Sequence, residues 1–375
     1  MKNPKLSRRH FLKKIKSDSL TLLKAGALGS TVAAPFVVRA ESKQWQWKMV
    51  TTWPKNFPGL GTGAEKLAKS IEESSGGRIK VRVYGDKELV PAMGVFDAVS
   101  RGTAEMGHGA SYYWQGKHEA TSFFSAVPFG LTATEMNGWL KYGGGQELWD
   151  QVYSPFGLVG FSAGNTGVQM GGWFNKEIKT PSDFKGLKMR MPGLGGKVLT
   201  QLGSAVVTLS GGEIFQALKL GTIDATEWVG PYNDLAFGLH KAAKYYYYPG
   251  WHEPGTTLEC MINKKAFESL PKDLQSVVKH ACNSATHDMY AEFASRNSTA
   301  LANLVQVHKV QLKEFPKEVL KTLGEISRQV VGEFAKKDAL SKKVYESFDK
   351  FRKDTTNWTR ISEESYTQAR SLTFK

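Results

Sequence analysis

Trp45-Gln46-Trp47-Lys48-Met49-Val50-Thr51-Thr52-Trp53 opens the run whose order decides the fold class. Its β-branched and aromatic residues read as a strand, residues 61–73 as an amphipathic helix, and residues 79–84 as a second strand. Residues 92–100 return to a helical spacing, and residues 104–108 form a short third strand. Strand, helix and strand in that order imply a parallel sheet with helices over its faces. Gly76-Gly77 breaks the first helix and Pro91 opens the second. The pattern returns further on, with strands expected at 156–161, 168–174 and 187–191 and helices at 195–202 and after Gly211-Gly212-Glu213. Two sheet-based α/β lobes are the simplest account. Beyond Pro271 the chain turns helical to about residue 350, with Pro316 as the main interruption. Its last helical stretch is expected at 317–348, followed by a looser tail containing Trp358 and Tyr366. Those aromatics need cover, either from their own lobe or from a second copy of the chain.

The first forty residues have another character. Ser7-Arg8-Arg9-His10-Phe11-Leu12-Lys13 lies in a basic segment, and residues 25–38 then run without a charge. A membrane-spanning helix needs about 20 apolar residues, so this run, cut off by Arg39, is too short for a permanent anchor. The layout is that of a twin-arginine signal peptide over residues 1–40, with cleavage near Ala40 and a periplasmic destination.

Of the formal net charge of +15, the leader carries +8, which leaves +7 on the mature chain. That balance favours encounters with anionic solutes. Lys and Arg are scattered, with no module that would hold bases, so nucleic acid is not an expected partner. Only Cys260 and Cys282 are present, which excludes a disulfide-built scaffold and leaves two buried thiols or one bridge open. Gly59-Leu60-Gly61-Thr62-Gly63 lacks the spacing of a nucleotide loop and reads as a helix start beside a cleft. Gly193-Leu194-Gly195-Gly196-Lys197 fails the same test, because Val198 follows the lysine. No HExxH or CxxC pattern occurs, and no reaction is expected.

Four segments, taken in order, carry a family resemblance: Gly102-Thr103-Ala104-Glu105-Met106, Phe184-Lys185-Gly186-Leu187-Lys188-Met189-Arg190-Met191-Pro192, Gly212-Glu213-Ile214-Phe215-Gln216-Ala217-Leu218 and Gly221-Thr222-Ile223-Asp224-Ala225-Thr226-Glu227. The chain resembles the DctP-type solute-binding subunits of TRAP (tripartite ATP-independent periplasmic) transporters over nearly all its mature length. Glu227-Trp228 and the run Tyr245 to Tyr248 look like the branch that binds 2-oxo or 2-hydroxy monocarboxylates. The resemblance implies a two-lobed periplasmic binding protein fold, type II-like, with a central cleft and long C-terminal helices. Lobe I would span 41–165, completed by about 256–292, and lobe II 166–255, completed by about 293–330. A tail at 331–375 would support a homodimer.

It also implies the site. Arg190 would take the ligand carboxylate, for which its rigid two-pronged fork suits better than a lysine's point charge. Gln169, Glu227 and the Trp228 carbonyl, with Glu253 of Trp251-His252-Glu253-Pro254, would hold a bridging cation. All of these are oxygen donors, which suits calcium or sodium better than zinc. Asn165, Tyr112 and Tyr113 are further candidate donors to the ligand, and Trp228 could wall the pocket. The expected partners are a small organic acid such as pyruvate or lactate and the TRAP membrane permease. Alternatives are a metal-free receptor for a larger sugar acid or a C4 dicarboxylate, and an exported enzyme acting on a small carboxylate.

Overall fold

Two sheets organise residues 43–373, which the computed structural model describes; the signal-peptide reading of residues 1–40 lies outside them. The first sheet has strand order β2-β1-β3-β10-β4, built from β1 (Trp45–Thr51), β2 (Ile79–Tyr84), β3 (Met106–Gly109), β4 (Leu158–Asn165) and β10 (Thr257–Asn263). β1 pairs in parallel with both β2 and β3, as the strand–helix order requires, with α1 (Gly61–Ser74) and α2 (Val95–Ser100) as the crossovers. The Gly76-Gly77 break follows α1 directly, both glycines at positive φ. β10 returns from far along the chain and runs antiparallel between β3 and β4.

The second sheet, in order β11-β9-β5-β8-β6-β7, gathers β5 (Gly172–Phe174), β6 (Lys188–Arg190), β7 (Ala205–Val207), β8 (Ala225–Thr226), β9 (Tyr245–Tyr248) and β11 (Gln311–Glu314). Within it β7 and β8 each pair in parallel with β6. α5 (Gly193–Gln201) and α6 (Gly211–Lys219) follow β6 and β7, and a Ser210–Glu213 capping box starts α6. β5 is shorter than the expected strand over 168–174, because Gly167 and Gly172 take positive φ and turn residues 167–171 into a loop. That loop carries Gln169.

α9 (Lys272–Gln306) spans 35 residues and joins the lobes. It packs on α1 and β4 of the first and on α7 (Pro231–Phe237) of the second. Cys260 on β10 and Cys282 on α9 are both free and fully buried in the same apolar cluster.

The C-terminal region departs from expectation in two ways. The helix expected at 317–348 is broken: α10 (Lys317–Glu333) stops, and α11 (Ala339–Thr359) restarts with the Asp338 carboxylate capping the amides of Leu340 and Ser341. The tail beyond is helical, not loose, continuing through a π turn at Arg360–Glu364 into α12 (Ser365–Thr373). Phe348 packs edge-on to Trp139 and Phe123, in a cluster where Phe124 stacks between Trp139 and Trp149. Trp139 lies on α3 (Ala133–Tyr142) and Trp149 on α4 (Gly145–Tyr153) of the same chain. Trp358 and Tyr366 have no such cover and are 68% and 66% exposed.

Candidate functional site

The parallel register of the second sheet brings the first two site residues together. Arg190, the last residue of β6, faces Thr226 at the end of β8, so Glu227 emerges beside it and its amide donates to the Arg190 carbonyl (3.2 Å). Carboxyl ends of adjacent parallel strands are where an open α/β sheet presents its cleft. The Arg190 guanidinium is nearly inaccessible and ion-pairs with the Glu227 carboxylate through Nη1. The same nitrogen donates to the Glu227 carbonyl (3.0 Å), while Nε and Nη2 donate to the Leu209 carbonyl (3.2 Å each). Trp228 lies under the guanidinium, its ring centroid 5.2 Å from Cζ.

Two loops close on this pair. The β5 loop and the β9–β10 loop are tied by the Gln169 amide donating to the Glu253 carbonyl (3.1 Å). Gly250 lets them touch, since a Cβ there would lie 2.2 Å from the Gln169 carbonyl oxygen. Gln169 Nε2 then donates to Glu253 Oε2 (2.9 Å) and to the Thr166 and Thr256 hydroxyls, and the Thr256 hydroxyl donates to the same Glu253 oxygen. Gln169 Oε1 and Glu227 Oε2 are buried without a hydrogen-bond partner. Buried acceptors are normally paired, so these two oxygens, turned inward beside two carboxylates, fit a cation.

The first lobe supplies the opposite wall. Tyr112 and Tyr113 sit on the turn after β3, and the Tyr113 hydroxyl lies 3.5 Å from Arg190 Nη2. Trp53 is fixed there by its indole N–H donating to His108 Nδ1 (2.8 Å). Asn165 ends β4, but its amide already has partners: Nδ2 donates to the Gly255 carbonyl (3.3 Å) and the Thr257 hydroxyl (3.2 Å), and Oδ1 accepts from the Gly167 amide (2.8 Å). A small cavity remains, with Trp53, Tyr112, Tyr113, Gln169, Trp228 and Val229 among its walls.

Burial dominates the electrostatics. Desolvation pushes the Glu227 carboxyl up to about 7 against the pull of Arg190, and pushes Glu253 up to about 7 with help from the charge of Glu227. The Tyr113 phenol is raised to about 12, again chiefly by burial. Two neighbouring carboxyls that resist ionisation are a site short of positive charge.

Sequence reasoning missed one participant. His252 is buried, neither ring nitrogen has a hydrogen-bond partner, and Nε2 stands 3.5 Å from Glu227 Oε2. Glu227, His252 and Glu253 each place a ligand atom within 4.8 Å of the others. The group of candidate ligand atoms therefore includes a nitrogen. The signal was adjacency to Glu253 in Trp251-His252-Glu253-Pro254, which by itself does not say which way a ring points.

The profile of DctP, described as bacterial extracellular solute-binding protein, family 7, matches residues 49–338. The chain belongs to the DctP family. A monocarboxylate 2-oxoacid-binding periplasmic protein of Nostoc is 46% identical over 329 residues, covering 88% of this chain and 90% of the relative. A crystal structure of a TRAP periplasmic solute-binding protein of Pseudoalteromonas atlantica, with bound sodium and pyruvate, is 42% identical. It superposes with a TM-score of 0.85 over 89% of this chain and 100% of that one. A TRAP transporter solute-binding protein of Bordetella bronchiseptica is 38% identical with a TM-score of 0.86, over 89% of this chain and all of that one. It is a mixed-occupancy dimer in which calcium and picolinate occupy one site and the other is apo. This DctP-type chain is thus a two-lobed periplasmic solute-binding protein of a TRAP transport system, and its family is one of transport proteins, not of enzymes.

Proposed function

We propose that the protein captures a small 2-oxo or 2-hydroxy monocarboxylate, such as pyruvate or lactate, through a bridging calcium or sodium ion, and hands it to the TRAP membrane permease. The observation that carries this reading is the inward-facing pair of unpartnered acceptors, Gln169 Oε1 and Glu227 Oε2, within a buried group of two carboxylates and one guanidinium. Gln169, Glu227, the Trp228 carbonyl and Glu253 would hold the cation. Arg190 would take the ligand carboxylate, with Tyr112, Tyr113 and Asn165 as further donors to the ligand's oxygens and Trp228 walling the pocket. Arg190 against Glu227 and Glu253 leaves one net negative charge, which alone repels a monocarboxylate; a divalent ion reverses it. A plain fatty acid offers no second oxygen for such an ion to chelate. The bound ions and acids of the Pseudoalteromonas and Bordetella proteins support the same chemistry.

Three further parts complete the reading. The lobes divide as 41–165 with about 256–292, and 166–255 with about 293–330; the membership of β10 and β11 in the two sheets supports this division. The exposed aromatics of the 331–375 tail, with the dimer seen in the Bordetella relative, support a homodimer. Arg8-Arg9 ahead of Phe11 supports twin-arginine export, and changing both to Lys should leave precursor in the cytoplasm. The capture step is tested by calorimetry of chelator-stripped mature protein with pyruvate, lactate, a C4 dicarboxylate and a sialic acid, each with and without calcium and sodium. Pyruvate or lactate should bind only with a cation present. Full-strength binding by metal-free protein ends the bridging-ion idea while leaving the receptor assignment intact.

A further inference from the structure

One buried nitrogen lies among the oxygens of the cation site. His252 is 1% exposed, and its Nε2 faces Glu227 Oε2. Both its nitrogens are buried and unpartnered, an arrangement that folded proteins normally avoid. Gly195 packs closely on the root of this side chain: a Cβ there would lie 2.8 Å from His252 Cβ. Each neighbouring carboxylate has one oxygen already fixed by the protein. Arg190 takes Glu227 Oε1, and Gln169 with Thr256 take Glu253 Oε2, which leaves Glu227 Oε2 and Glu253 Oε1 as donors. Metal bonds of about 2.0–2.2 Å put neighbouring ligand atoms roughly 3–4 Å apart. The 3.5 Å between His252 Nε2 and Glu227 Oε2 already has that spacing, and the whole triad lies within 4.8 Å.

We infer that this site accepts a first-row divalent metal of the zinc class through His252 Nε2 and the Glu227 and Glu253 carboxylates, in competition with the hard cation. The inference rests on the proposed reading that these carboxylates face a bound ion. Calcium takes six to eight oxygens, and imidazole is not among its usual donors. Zinc and cobalt(II) sit higher in the affinity order for mixed nitrogen and oxygen sites and accept four ligands. The fixed outer oxygens supply the second shell that orients such donors.

The test uses untagged mature protein carrying His308→Gln. That change removes the close His240–His308 pair, whose tilted rings have centroids 4.1 Å apart, as a rival metal site. Stripped protein is titrated with calcium, zinc and cobalt(II) by calorimetry, and the cobalt form is examined by X-ray absorption. One equivalent of zinc should bind more tightly than calcium, and the cobalt spectrum should show the outer-shell scattering of an imidazole. Adding His252→Gln should lower the zinc-to-calcium affinity ratio by more than the roughly 10–100-fold typical of an outer-shell partner, and erase that scattering. Tighter calcium than zinc, an unchanged ratio, or imidazole scattering that survives the substitution overturns the inference. If the doubly substituted protein does not fold, the cobalt spectrum of the parent decides: no imidazole scattering refutes it. Loss of calcium and sodium binding with zinc retained would instead sink the hard-cation reading alone.

Discussion

Glu227→Gln separates the electrostatic role of the site from its architecture. The carboxylate is almost wholly buried, ion-paired to Arg190, and raised to about 7 by desolvation, so near neutrality the metal-free protein already holds it partly protonated. Glutamine imitates that neutral form, and its carbonyl can still accept from Arg190. Fold stability without a cation should change little. Cation binding should suffer far more, because two charges 4 Å apart at an effective dielectric of 20 attract by about 4 kcal/mol. If only a third of the resulting ~8 kcal/mol for a divalent ion survives as net affinity, the loss is about a hundredfold. Saturating calcium at a hundred times its Kd stabilises the folded state by about 2.7 kcal/mol. At about 2.1 cal/mol/K per residue, a mature chain of about 335 residues shifts by roughly 1.4 °C per kcal/mol, so the melting temperature of the unaltered protein should rise by about 4 °C or more with calcium and pyruvate. Glu227→Gln at the same concentrations should show little of that rise. Calcium binding by the unaltered protein should also weaken as pH falls below about 7, because Glu227 and Glu253 must shed protons to take the ion. Differential scanning calorimetry in paired calcium and chelator buffers is the assay. An equal calcium-dependent rise in both proteins would refute the reasoning.

Other outcomes follow from buried groups away from the cation. Glu259 accepts from the Trp114 indole and the Tyr153 hydroxyl, and burial raises it to about 7. Because the folded state holds this proton more tightly than the unfolded chain, stability falls as pH rises from about 4.5 to 7, by up to 1.4 kcal/mol per unit. Glu259→Gln should remove that part of the slope, read from urea midpoints at pH 5 and 8; identical slopes would count against it. Cys260 and Cys282 are buried and free, so an aromatic disulfide reagent should find no reactive thiol in the native protein and two after denaturation; none after denaturation would mean a bridge. Truncation after Thr359 should turn a sedimenting dimer into a monomer while preserving the fold, and a monomer before and after rules out assembly through the tail. Cutting before α11 is a poor version of that test, because it strips Phe348 from Trp139 and Phe123.

Local periodicity exposed the parallel half of each sheet. Residues 45–53, 79–84 and 104–108 alternate or cluster apolar side chains, and Gly76-Gly77 and Pro91 mark the helix limits between them. The returning strands were harder to read. β10 could be recognised as extended, yet its place between β3 and β4 depends on pairing across more than ninety residues. β11, Gln311-Leu312-Lys313-Glu314, passes for helix, because its stability comes from pairing with the Tyr245–Tyr248 run, not from its own composition. The tail was misread for the converse reason. Residues 349–373 are polar and carry few core positions, which suggests a loose segment, but the chain extends a helix already anchored by Val344 and Phe348.

The site shows the same limit at finer scale. Arg190 was legible at the end of a short strand-like run, where a parallel sheet opens its cleft, whereas Glu227 reads as a loop charge until family likeness gives it a role. Gln169 and Glu253 came only through family likeness, since each sits in a loop whose course depends on the other: Gln169 Nε2 is held by the Glu253 carboxylate, and their backbones touch at Gly250. His252 lay next to Glu253 in sequence and was still passed over. In an extended segment neighbours point to opposite sides, so adjacency argues against shared ligation. The loop turns between them, the Glu253 amide donating to the Gly250 carbonyl (3.2 Å), and this turn brings His252 Nε2 round to Glu227 on the same side as the Glu253 carboxylate. A donor set inferred from residue types alone therefore favours oxygen here, because the nitrogen enters only through the shape of the loop. That shape places a nitrogen among the oxygens that the residue types lead one to expect.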